Sequence, residues 1–239
     1  MNAVSNETAA PPSALKRLLY RPPYIGLLAF VIVFVVQALG HTVMILMEDI
    51  FGEKYVFQSA FALGLFGAVL LVIGMRKSNE VSATWLGFWA GTFLWTGWIE
   101  FSFVWSAHTL GVPDLMDARV PGEIATKAEY LVMMSSVGVM MSTLAYFLLN
   151  KETKCNMFLW IQRHGHLKTG KPNPAHQRNF AAITSLETIY VLWFCYLMLL
   201  FIYDENILGD HHPVTYVIFF LMVIWAAYLF LRLMKFWTV

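Results

Sequence analysis

Six stretches of about twenty apolar residues, parted by short polar or basic segments, limit what this chain can fold into. A helix needs roughly that many residues to cross ~30 Å of hydrocarbon. The stretches are Tyr24–Met47, Tyr55–Met75, Ser82–Ala107, Tyr130–Leu149, Phe180–Tyr203 and Val214–Leu231. The expected fold class is therefore all-α: a polytopic membrane protein built as a six-helix transmembrane bundle. Charged residues make up only 13% of the chain, against about 25% in an ordinary soluble domain. Facing lipid or other helices accounts for the missing charge. Residues 1–22 read as a polar, proline-containing tail, and 23–239 as the transmembrane domain with a loop at 150–179. The tail is too long and irregular for a signal n-region, and no small-residue cleavage pattern follows, so the first span is expected to be retained.

Basic residues orient the bundle. Thirteen of the sixteen fall on one side: Lys16, Arg17, Arg21, Arg76, Lys77, Lys151, Lys154, Arg163, Lys168, Lys171, Arg178, Arg232 and Lys235. Only Lys54, Arg119 and Lys127 fall on the other, where most acids also lie. A bias of this kind in short loops marks the cytoplasmic side. Both termini and the 150–179 loop are expected in the cytoplasm, and the protein in a bacterial inner membrane. The net charge of +1 carries no dense basic patch, so no nucleic-acid partner is expected. Cys155 and Cys195 stand in no metal-ligand spacing.

Within these spans a few ionisable groups stand out. Glu100 lies in the third run, inside Trp95-Thr96-Gly97-Trp98-Ile99-Glu100. An acid there costs ~2.5–3.5 kcal/mol on insertion scales, which makes it a candidate functional group. The simpler account is a protonated carboxyl making one hydrogen bond. In the first helix, Gln37, His41, Met44 and Glu48 share a stripe at 100° per residue. In the fourth, Glu129, Met133, Ser136, Met140 and Thr143 form another. His108 flanks Glu100 from the rim, about 80° round the helix. His211 and His212 stand in the last outer loop, and Glu187 lies two turns in from the cytoplasmic end of the fifth run.

Two constellations follow. The outer one joins His41, Glu48, Glu100, His108, Glu129 and Met133, with His211 and His212 above, at similar depth on different helices. Imidazole with carboxylate suits zinc, copper or iron, and a thioether favours reduced copper. Glu100 and Glu129 would be the catalytic acids of a metal-dependent redox site, in this chain or in a complex of membrane subunits. A haem held by His41 and His108 is a minor alternative. The second constellation is a proton path through Ser136 and Thr143 to Glu187, as a proton- or ion-coupled transporter needs. In a third account the chain is a structural subunit whose polar stripes bind helix to helix, with methionine as core filler.

Packing faces are also readable. Ala60, Gly64 and Ala68 recur every four residues in the second run, and Gly87 and Gly91 form a GxxxG in the third. Both allow backbones to approach closely. The loop 109–129 is long enough to fold over the bundle. Met157-Phe158-Leu159-Trp160-Ile161 beside Lys151, Lys154 and Arg163 reads as an interfacial segment on anionic lipid. His164, His166 and His176 match no defined metal motif, and a solvated basic loop explains them. No HxxxH box, GxSxG elbow, HExxH or GxxxxGK[ST] motif occurs, and no inverted repeat is visible.

Overall fold

The computed structural model describes residues 21–116, 122, 124–175, 177–204, 207–209 and 211–235, without the side chains of 37–41, 53 and 156. The helices are α1 (Tyr24–Met75), α2 (Glu80–Leu94), a π turn (Trp95–Glu100), α3 (Phe101–Leu110), α4 (Ala128–Ser135), α5 (Val137–Leu149), α6 (Asn156–His164), α7 (Phe180–Tyr203) and α8 (Pro213–Leu233). Helix occupies all six apolar runs. Among the described residues, three helical stretches are long and apolar enough to cross a membrane: Lys54–Met75, Phe180–Tyr203 and Pro213–Leu233. The bent pair α4 and α5 makes a fourth if taken as one span. Tyr24–Val36 is apolar but shorter, and the third run is interrupted by its π turn.

Three expectations change in detail. No loop separates the first two runs: α1 continues through them, broken at Gly52 alone. Gly52 has φ 60° and ψ 178°, a conformation that side-chain-bearing residues avoid. Glu48, Glu53 and Lys54 are ordinary helix formers, which is why the flanking turns stay helical. The fourth run is not one helix either, since α4 and α5 meet at a 43° bend. The Ser135 and Ser136 hydroxyls donate to the carbonyls of Val132 and Met133, each at 2.6 Å, and such back-bonding bends helices. Between α3 and α4 lies a short antiparallel ribbon, Leu115–Met116 with Ile124–Thr126. Asp114 secures this ribbon by accepting from the Ala128 amide at 2.7 Å, at the start of α4.

The chain forms two compact units, one of residues up to 41 and from 213, the other of residues 42–212. In the first, the start of α1 runs antiparallel to the end of α8. Gly26 lies against the Leu233 backbone, and Phe30 meets Phe230 edge-on at 5.0 Å. Most of α8 presents apolar side chains outward, including Phe219, Phe220, Ile224 and Trp225.

The second unit is organised around α2 and α7. A Cβ on Gly87 would strike the Ala181 carbonyl, and one on Gly91 would lie 2.8 Å from the Ser185 oxygen. The GxxxG face is therefore a backbone-to-backbone contact. Asn179 sets where it begins: its side chain accepts from the Ala182 amide at 3.0 Å, capping α7, and donates to Met75 at the end of α1 at 3.1 Å. The small-residue face of α1 also holds. Ala60 and Gly64 receive the backbone of Gly97, and the face continues through Gly67, against Leu94, rather than Ala68. Trp98 closes the contact, its indole donating to the Phe61 carbonyl at 3.1 Å.

Candidate functional site: a buried carboxyl on a π turn

The site begins with helix geometry. In a regular α-helix, residues five apart differ by about 140° and face different neighbours. Trp95 and Glu100 are five apart, but the segment between them is a π turn, closed by i→i+5 bonds. The wider turn brings both toward one face, where Trp95 is 2% exposed. Gly97 makes the turn packable, since α1 comes too close there for any side chain.

Glu100 is 4% exposed. From α7, the Tyr196 hydroxyl donates to its Oε1 at 3.2 Å. The Tyr196 ring stacks on Trp95 with centroids 5.6 Å apart, so one aromatic pair grips the carboxyl. Beneath lies a core of Trp95, Met133, Met140 and Leu197. Met133 and Met140 are each 1% exposed and pack as apolar filler around the pair.

An open cleft of about 450 Å³ reaches Tyr196 from the side of the ribbon. Ile124, Thr126, Lys127, Tyr130 and Asp204 also line it. Tyr196 thus lines the cleft and bonds Glu100. Glu48 is exposed, and Glu129 sits 3.9 Å from the Lys127 ammonium.

No protein-family model matches this chain, and no curated protein or solved structure is significantly similar to it.

The other candidates divide. Met133 packs with Trp95 in the core, Glu129 stands beside Lys127, and Glu48 is exposed. His108 joins none of them: it is exposed at the end of α3, its ring 6.3 Å from that of Phe57. His211 and His212 are exposed and make contacts of their own. The His41 and Gln37 side chains lie outside the described residues, as does His176. Among the described residues no three His, Cys, Asp or Glu side chains stand close enough to hold a metal ion.

The proposed path is interrupted. Ser136 donates to Met133 and accepts from the Trp193 indole at 2.9 Å, and Thr143 donates to Val139 at 2.8 Å. Among the described residues neither hydroxyl bonds to Glu100 or Glu187. Glu187 is exposed and lines a different cavity, at the other end of α7. Tyr196, the donor to Glu100, and Trp95, on which its ring stacks, escaped sequence reasoning.

Proposed function

We propose that the protein spans a bacterial inner membrane six times, with both termini in the cytoplasm, and that Glu100 exchanges a proton with the outer cleft in coupled transport. The six helical runs and the one-sided basic residues support the topology. So does the antiparallel pairing of the start of α1 with the end of α8, which brings Gly26 to the level of Leu233.

The observation that carries the functional reading is the single step from Glu100 through the Tyr196 hydroxyl to an open cleft. A carboxyl held in an apolar span by one hydroxyl donor can take up or release a proton without large movement of its neighbours. The tyrosine hydroxyl both donates and accepts, which is what handing a proton to the cleft requires. Intramembrane acids facing a cavity are the usual parts of such relays. The test is proton flux in proteoliposomes carrying an internal pH dye, under an imposed pH gradient. Wild type is expected to dissipate the gradient, and Glu100→Gln to slow it at least about tenfold, a loss of ~1.4 kcal/mol in barrier terms. Equal flux in both would overturn the reading.

A second reading places copper, iron or zinc at the same acids, for redox chemistry here or in a membrane complex. It needs a ligand from outside the described side chains, such as His41, because the described ones form no metal-holding group. Metal content of the purified protein that falls in Glu100→Ala supports this alternative, and unchanged content counts against it.

A further inference from the structure

The unit formed by residues 42–212 holds a second cavity, of about 200 Å³, at the opposite end of α7 from the Tyr196 cleft. Its lining mixes two bases, Lys154 and Arg178, with two acids, Glu152 and Glu187, above apolar walls that include Phe158 and Ile183. This is the end of the helices where the basic residues collect. One wall is α6, the segment whose sequence reads as interfacial. It is fixed in place by the Gln162 side chain, which donates to the Leu148 carbonyl at 2.6 Å, and by Phe158, which is buried beneath it. Met157 and Trp160 point outward from the same helix.

Charge and shape together specify a ligand. Apolar walls topped by paired opposite charges, at the level where apolar helices end, match the junction of acyl chains and headgroup in a phospholipid. Guanidinium and ammonium groups suit a phosphate. A second anionic headgroup function would meet Glu187, while a quaternary amine offers that carboxylate no N–H to accept from. Glu152 is already engaged by the Asn173 amide at 2.9 Å, so Glu187 is the acid left to face a ligand. Arg178 sits where its charge acts on Glu187.

We propose that this cavity binds the headgroup of a phospholipid bearing a primary ammonium, the phosphate toward Arg178 and Lys154 and the ammonium toward Glu187. The acyl chains then run along the outward apolar side of α7, past Leu186. The inference rests on the membrane reading alone, and failure of proton exchange at Glu100 leaves it standing.

The experiment is lipid retention by the full chain. Purified protein is reconstituted with equal amounts of ethanolamine-, choline- and glycerol-headgroup phospholipids of matched chains, then exchanged into detergent. The retained lipids are counted by native mass spectrometry. The ethanolamine lipid is expected to exceed both others at least about fivefold, the scale of one charge-assisted hydrogen bond. Arg178→Ala should lower retention of all three, and Glu187→Gln should abolish the preference for ethanolamine while sparing the glycerol lipid. Retention that follows the supplied mixture in wild type overturns the proposal, whatever the variants do. A preference that survives Glu187→Gln in protein that elutes and melts as wild type also overturns it.

Discussion

The two halves of α7 do different work although they share one helix. Its first half, Ala181 to Thr188, lies backbone against backbone on Gly87 and Gly91 of α2. Its second half holds Trp193 and Tyr196 out to Ser136 and Glu100, and there large aromatic side chains keep the neighbours apart. On the face where glycine permits main-chain contact, no space is left for water or ligand, and Glu187 stands on another face of the same stretch. Where tryptophan and tyrosine set the spacing, a cleft opens and an acid can be held within reach of it. Small residues anchor this helix, and aromatic residues build its site.

That contrast can be broken most severely at the glycines. Gly87→Leu or Gly91→Leu should destabilise the protein by about 3 kcal/mol, the upper range for overpacking, because the obstacle is backbone that has nowhere to move. Thermal unfolding in detergent, followed by gel filtration, reads this loss. Wild-type melting of both variants would mean that the α2–α7 contact is looser than described.

At the aromatic end the effects should fall on function before stability. Tyr196→Phe removes one hydrogen bond, worth about 1 kcal/mol of stability, and cuts the step between Glu100 and the cleft. Its proton flux should drop toward that of Glu100→Gln while its melting moves far less than that of the glycine variants. Ser136→Ala takes the acceptor from the Trp193 indole and should cost about 1 kcal/mol, with flux retained. Flux lost in Ser136→Ala but kept in Tyr196→Phe would reverse the assignment of the proton's route.

The smallest change sharpens the comparison from the closed side. Ser185 is 1% exposed, and its hydroxyl has no hydrogen-bond partner among the described residues. If Ser185 stands there for its size, Ser185→Ala should shift stability by no more than ~0.5 kcal/mol, or raise it slightly.

The apolar runs were legible because a span demands about twenty residues of one character, a signal that survives ignorance of every contact. Gly87 and Gly91 were legible for a similar reason: four-residue spacing on a helix has one geometric meaning. Glu100 could be singled out by its cost, but its partners could not, because a regular 100° step turns Trp95 away from it. The π turn cancels that step. The bend at Ser136 was hidden by the same assumption of regularity, although two adjacent serines and Gly138 stood at the place. Tyr196 is 96 residues away from Glu100 in sequence, and nothing local marks one tyrosine of ten as its donor. Depth says nothing about rotation around the bundle, which is why His108 was grouped with Glu100 and stands beside Phe57 instead.

The most direct trial of the account is infrared difference spectroscopy of the reconstituted protein through a pH titration, watching the carbonyl stretch of protonated carboxyl groups. A band that titrates in wild type, is missing in Glu100→Gln and is displaced in Tyr196→Phe is the predicted result. A spectrum in which no titrating carboxyl is lost with Glu100→Gln would contradict it, and the buried acid would then be a helix-packing group and no proton site.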